Sequence, residues 1–385
     1  MKILFVGNDA SRTGAPIGLL CFLRWLKENT DVEFEIMLRI GRGPLLEDYE
    51  ALAPAVCYDR IDHNPTLAQR AARRLGLRSI GGRSCLSAIE QHFENSGVDL
   101  ILANTVTQGA VLADLARLRI PAICYVHELE WGIKRCGSRN MAQVKKHAQR
   151  FIACSRAVKH NLVEQHGIRA EKIEVVYEML PPRPLPTPEA VASAKKLLKL
   201  TESDFVVGGC GSHAWRKGRD LFVDLARENQ SRNPDGKLHF VWVGGPPQEG
   251  VADENLPSEG ETGLESILHF VPEVENPLDY FAAFDVFAMV SREDPFPIAN
   301  LECASLGKPV ICFEGSGGSR EFVEEDAGFV APYLDVRGMA DKIILLREDS
   351  ELRARLGKHA AEKAGKHAVS EIAPQLLDCI RRNRP

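Results

Sequence analysis

Asp294 and Glu302 lie eight positions apart in Ser291-Arg292-Glu293-Asp294-Pro295-Phe296-Pro297-Ile298-Ala299-Asn300-Leu301-Glu302, just beyond an apolar run. Glu302 is the only charge between Pro295 and Lys308. A carboxylate in apolar surroundings needs a partner, because burying it alone is costly. Pro297 suits the first position of a helix. That helix would begin beside Asp294, with its free N–H groups and positive end open to an anion or a hydroxyl-rich ligand.

Other chemistry-bearing residues follow apolar runs in the same way. Gly209, Gly211 and Ala214 imitate a dinucleotide fingerprint, but the next run ends Val243-Gly244-Gly245, without the acid that would hold a ribose, so an NAD site is disfavoured. What is left is a flexible loop delivering Arg216 and Lys217, cations suited to a diphosphate. A solvated basic pair is the alternative, although cations at a helix start oppose its dipole. Val126 is followed by His127-Glu128-Leu129-Glu130-Trp131, where the imidazole could position a sugar hydroxyl, move a proton, or serve as a buried structural group. Asn104 and Thr105 follow another run and could line the same site. Gly14 lies in a small-residue loop ahead of a helix, either an approach path for a ligand or an ordinary turn. The loop Glu314 to Glu321 offers an anion-binding nest.

The elements that must position these residues alternate. Short apolar runs at Ile3–Val6, Glu33–Leu38, Leu100–Ala103, Ala122–Val126, Phe151–Cys154 and Ile173–Val176 are separated by amphipathic stretches, the pattern of a parallel sheet covered by helices. A second series runs through Phe205–Gly208, Leu238–Val243, Ile267–Val271, Val286–Val290, Pro309–Phe313 and Gly328–Val330. Five prolines between Pro181 and Pro188 mark a linker. The fold class is therefore α/β, two doubly wound domains at 1–180 and 189–369 joined by 181–188, with a C-terminal helix at 370–385 that could pack back on the first domain. The tail from Ser350 to Arg382 reads as two helices broken by Pro374.

The bulk properties narrow the function. The chain has 385 residues, 44% hydrophobic and 26% charged, and a net charge of -5, which excludes a disordered chain and a general binder of nucleic acid. The first apolar run is too short for a signal peptide and no stretch reaches the roughly 18 apolar residues of a spanning helix, so a cytoplasmic location is expected. Cys124, Cys154, Cys210 and Cys312 sit in or at the end of apolar runs, where Cys acts as a small hydrophobe. No Cys-x-x-Cys pair exists to bind a metal.

Taken together these residues resemble the retaining glycosyltransferases of family 4, which have the GT-B fold of two Rossmann-like domains facing each other across a cleft. The resemblance covers nearly the whole chain. The family signature Glu-x-Phe-Gly-x-x-x-x-Glu falls on Asp294 to Glu302, with Phe296 in register, Asp for the first Glu and Pro297 for the Gly. It implies that Asp294 contacts the donor sugar, that the backbone around Phe296, Pro297 and Ile298 supports it, and that Glu302 holds the ribose. It further implies that Lys217 binds the diphosphate, with Arg216 substituting for a family Arg that falls on Ser212. Gly14 would lie near the phosphates and the base against the segment from Phe270 to Val274, Val271 included. His127, Asp294 and Lys217 are the implied catalytic residues, and Asn104, Glu128 and Trp131 the candidate acceptor contacts. The implied reaction moves a sugar from a nucleoside-diphosphate sugar to a hydroxyl of a glycan or lipid-linked acceptor in cell-surface polysaccharide synthesis, with no cofactor and no metal. A nucleotide-sugar epimerase or a non-catalytic nucleotide-sugar-binding module are the alternatives. Arg70, Arg73, Arg74 and Arg78 recur at helical spacing without an intervening acid and could rest on an anionic membrane surface, or form a solvated basic helix.

Overall fold

The computed structural model describes residues 1–61, 92–93, 96–232, 237–245 and 262–384. Arg70, Arg73, Arg74 and Arg78 lie outside the described residues. The chain divides into two compact units, Met1–Met179 with Val369–Pro385, and Leu180–Ala368.

The first unit is built on a parallel sheet of β1 (Lys2–Gly7), β2 (Glu33–Leu38), β3 (Ala55–Cys57), β4 (Leu100–Asn104), β5 (Ala122–Val126), β6 (Arg150–Ala153) and β7 (Ile173–Val175), in the order β3-β2-β1-β4-β5-β6-β7. Ile3 to Val6 and the whole of β5 are buried, as expected for central strands covered on both faces. The winding reverses between β1 and β4, so the loops after these strands flank the switch point where such sheets hold ligands. The edge strand β3 escapes the apolar-run reading because only three residues form it.

The second unit carries β8 (Phe205–Cys210), β9 (Leu238–Val243), β10 (Leu268–Val271), β11 (Val286–Met289), β12 (Val310–Phe313) and β13 (Gly328–Ala331), all parallel, in the order β10-β9-β8-β11-β12-β13. Here the switch point lies between β8 and β11. The strand β8 continues through Cys210, so Gly209 is a strand residue and not part of a nucleotide loop. Its lack of a side chain serves packing: a Cβ there would lie 2.7 Å from the Phe222 ring and 2.8 Å from that of Trp242.

Five helices matter below: α1 (Gly14–Asn29), α2 (Arg219–Arg232), α3 (Ile298–Ser305), α4 (Ser350–Gly365) and α5 (Val369–Arg382). Pro374 lies inside α5 and does not break the tail. The break falls at 366–368, where the His367 carbonyl accepts a bond from the Leu180 N–H at 2.8 Å and Ala368 bridges to Leu180. Pro374, six residues into the helix, removes just one intrahelical bond, and tertiary packing compensates. Ile372, Ala373, Leu376, Leu377 and Ile380 are buried on one face, and α5 packs on α1 within the first unit. The proline-rich segment 181–188 belongs entirely to the second unit.

Candidate active site

At the switch point of the second sheet, two loops are laced together by their backbones. Trp215–Lys217 forms a single 3-10 turn, not a flexible loop. The Arg292 N–H donates to the Arg216 carbonyl at 2.8 Å, and the Glu293 N–H reaches the same oxygen at 3.3 Å. The Arg292 side chain forks onto Asp220 at 2.7 and 2.5 Å and lies over the Trp215 ring, 5.0 Å from its centroid. Bidentate geometry of this kind fixes orientation as well as charge.

The lacing brings two cations to one carboxylate. Lys217 Nζ donates to Asp294 Oδ2 at 2.5 Å, and Arg216 Nη1 lies 3.4 Å from the same oxygen. Asp294 is buried, 4% exposed, and its backbone is pinned by a bond from its N–H to the Ser316 carbonyl at 2.7 Å. Burial lowers the Lys217 pKa, and the neighbouring Arg216 adds to the effect while Asp294 opposes it. Two cations against one acid leave one positive charge in excess, beside the N-terminus of α3.

Glu302 projects from α3 and is also buried, at 5% exposure. Arg183 Nε donates to its Oε1 at 2.6 Å, and Arg183 Nη1 donates to the Glu275 carbonyl at 3.2 Å. Burial raises the Glu302 pKa, and the Arg183 charge and hydrogen bond oppose it. The end of β8 ties the two pairs together. The Cys210 thiol is pushed up to about 12, first by burial and next by Glu302, and it also feels Lys217, Asp294 and Arg183. Such a thiol is inert.

The remaining residues of the signature do structural work. Pro297 caps α3 and precedes the first helical residue, Ile298; its φ of -71° is set by the ring, its ψ of 121° is the extended value of an N-cap, and its carbonyl accepts the Asn300 N–H at 3.1 Å. Phe296 is buried and stacks on His367 with ring centroids 5.2 Å apart. In the loop 314–321, the Gly318 N–H donates to the Asp294 and Pro295 carbonyls, each at 3.1 Å, so that one N–H is committed to the protein's own backbone.

In the first unit, β5 delivers His127 beside Glu178 and Asn104. The imidazole Nδ1 lies 2.5 Å from Glu178 Oε1, and Nε2 lies 2.9 Å from Asn104 Oδ1. The Asn104 amide is oriented by its Nδ2, which donates to the Ala15 carbonyl at 3.1 Å. Both ring nitrogens therefore face acceptors, which an imidazolium satisfies and a neutral ring does not. Burial pulls the His127 pKa down, but the charge and hydrogen bond of Glu178 outweigh it, and the net shift is upward from 6.5. Glu128 turns its carboxylate onto the backbone, accepting from the N–H groups of His127 and Val106, and burial raises its pKa. Thr105, next to Asn104, holds a φ of 103°, a strained value for a β-branched residue at the mouth of the switch point. The Trp131 ring carries Arg135 at 4.8 Å. His127, Cys154 and Glu178 offer nitrogen, sulfur and oxygen atoms within 4.8 Å of one another, among the described residues the group suited to a metal ion. A metal there would need the His127 nitrogen and the Cys154 thiol deprotonated and would break the His127–Glu178 hydrogen bond.

A folded His pKa above the unfolded value adds stability that is complete below about 6.5 and disappears as pH rises through the folded pKa. Glu178→Gln is expected to move the His127 titration downward, measured by 15N NMR of the imidazole. An unchanged titration would show that Glu178 does not hold the charge.

Residues 41–182 match the family described as Glycosyltransferase Family 4, and residues 204–349 match Glycosyl transferases group 1. The chain belongs to the group 1, family 4 glycosyltransferases. Among curated relatives, it is 25% identical over 228 residues to the D-inositol 3-phosphate glycosyltransferase of Kribbella flavida, covering 58% of this chain and 54% of that one. It is 27% identical over 164 residues to the N,N'-diacetylbacillosaminyl-diphospho-undecaprenol alpha-1,3-N-acetylgalactosaminyltransferase of Campylobacter jejuni, covering 42% and 41%. The chain thus spans about half the length of the curated relatives it matches. The crystal structure of Anabaena HepE in complex with UDP superposes with a TM-score of 0.78 at 21% identity, over 99% of this chain and 100% of that one. WaaG, a glycosyltransferase involved in lipopolysaccharide biosynthesis, gives 0.68 at 13% identity, over 98% and 99%. These likenesses establish the GT-B fold of two Rossmann-like sheets.

Against the glycosyltransferase signature, the structure brings Lys217, Arg216, Asp294 and Glu302 to one strand end. Val271 is buried at the end of β10, and its carbonyl accepts the Gly244 N–H. Ser212 is half-buried in the loop after β8, and Gly14, exposed, opens α1 in the other unit. Sequence reasoning missed Arg292, Glu178 and Arg183. Glu178 follows a strand, so the rule that singled out His127 could have found it. Arg183 was hidden among prolines. Among the described residues, no helix is long and apolar enough to cross a membrane.

Proposed function

We propose that this glycosyltransferase moves a sugar, with retention of configuration, from a nucleoside-diphosphate sugar to a hydroxyl of a glycan or lipid-linked acceptor, without a metal. The observation that carries the reading is the pairing of Lys217 and Arg216 with the buried Asp294 beside the start of α3. An arriving diphosphate competes for the two cations. As Lys217 turns to it, the Asp294 carboxylate is released to accept a hydroxyl of the donor sugar. The bond between the anomeric carbon and the diphosphate oxygen breaks, the acceptor oxygen bonds to the same face, and its proton passes to the departing phosphate. Cations fixed in advance stabilise the charge that develops on that phosphate. Glu302 holds the ribose, and the His127 imidazolium presents positive charge at the switch point of the other sheet. The arginine-rich stretch Arg70 to Arg78 supports an acceptor held on an anionic membrane.

A thermal-shift and turnover screen of UDP, GDP and ADP sugars, with and without EDTA, tests this. One base family is expected to stabilise the protein and to release free diphosphate slowly even without an acceptor, unaffected by EDTA. Binding without any release would favour the non-catalytic module, and a 2-epimerised sugar the epimerase.

A further inference from the structure

Arg183 is presented by a stiff segment. Pro182 and Pro184 flank it, and a following proline confines it to extended backbone, so little freedom is lost when its side chain engages a partner. Its guanidinium does two things at once: Nε holds Glu302 Oε1 at 2.6 Å, and Nη1 holds the Glu275 carbonyl at 3.2 Å. Glu275 lies in the segment just after β10, and Glu302 lies on α3, so one side chain joins two separate elements. If the proposed nucleotide-sugar reading holds, these are the elements that would receive the base and the ribose.

On that reading we infer that Arg183 is a positioning residue of the nucleoside subsite, fixing the Glu302 carboxylate against the segment after β10 so that a ribose diol meets it in one orientation. Arg183 takes Oε1, and the diol would meet Oε2. The bond to the Glu275 carbonyl sets the distance between base-facing backbone and ribose-facing carboxylate. Lysine, with a compact charge and no planar fork, supplies the charge without the bridge. The groups that act electrostatically with Glu302 are Arg183 from the proline segment, Cys210 at the end of β8 with Lys217 and Asp294 acting on the same thiol, and Cys303 beside it on α3. Arg183 is the cation among those that bonds to Glu302 directly. Without it, the burial that raises the carboxyl's pKa is no longer opposed by a bonded cation, which favours the neutral acid.

Binding of UDP, GDP and ADP to the full chain, by calorimetry between pH 6 and 8.5, identifies the nucleotide that binds. Its 2′-deoxy form and inorganic pyrophosphate complete the set. Arg183→Ala is expected to raise the Kd of the diphosphate at least tenfold at pH 7, to bring the affinities of ribo and deoxy forms together, and to make binding weaken as pH falls. Pyrophosphate affinity should change less than twofold. Arg183→Lys should restore the wild-type pH profile but only part of the preference for ribose. An Arg183→Ala protein with the wild-type ribose preference and pH profile overturns the inference, as does an equal loss for pyrophosphate and nucleotide. If Arg183→Ala does not fold, Arg183→Lys decides, because an unchanged ribose preference in that variant also overturns it. Failure of the wild-type chain to bind any of the three nucleotides would instead remove the nucleotide-sugar reading itself.

Discussion

Lys217→Ala is expected to lower kcat/KM for donor turnover by about a thousandfold, the scale of removing one fixed donor from a site where charge develops. If the proposed reaction holds, two observations favour an effect on the transition state. Lys217 is held on a 3-10 turn whose neighbours are tied to the loop after β11, so its ammonium is oriented before a donor arrives. It also neutralises the buried Asp294, so its removal leaves Arg216, at 3.4 Å, as the cation bonded to that carboxylate. Lys217→Arg keeps the charge and should recover part of the loss. Kinetics under single-turnover conditions separate binding from chemistry. A loss below tenfold in Lys217→Ala would remove Lys217 from the chemical step.

Gly218→Ala is expected to be strongly damaging for a single-methyl change. Gly218 turns the chain from the 3-10 turn into α2 with a φ of +71°, and a Cβ there would lie 2.1 Å from the Val290 carbonyl oxygen. That oxygen belongs to the backbone at the end of β11, so it cannot swing aside as a side chain would. Strain in the turn plus displacement of the strand end costs about 2–4 kcal/mol. Urea denaturation should show the lost stability, and activity should fall even in the fraction that folds, because Lys217 moves with the turn. Wild-type stability with wild-type kcat would show that the turn can relax without cost.

Much of this fold is visible in the amino-acid order because central parallel strands are buried on both faces and read as uninterrupted apolar runs. The exceptions have physical causes. Ala55–Cys57 is an edge strand of three residues, too short to stand out. The run beginning at Phe205 extends past the point where glycines suggest a loop, because Gly209 serves to admit the Phe222 and Trp242 rings. Asp294, Glu302 and Lys217 are legible because each follows a strand in a sheet whose ligands bind at strand ends. Their partners are less so. Arg183 meets Glu302 across 119 residues and Glu178 meets His127 across 51, and no local pattern announces a pairing made only by tertiary structure.

The return of Val369–Arg382 to the first unit makes Leu180–Ala368 an insertion within another core. During synthesis the inserted unit leaves the ribosome whole before α5 can reach α1. The usual order, in which the earlier domain completes first, is therefore reversed for this chain. Until then the face of α1 that α5 packs against, together with Glu174, which later bonds Arg382 and Asn383, has to wait unfinished. A nascent chain that holds all of Leu180–Ala368 but lacks Val369–Arg382 leaves that face of α1 uncovered, an apolar surface in the older part of the polypeptide.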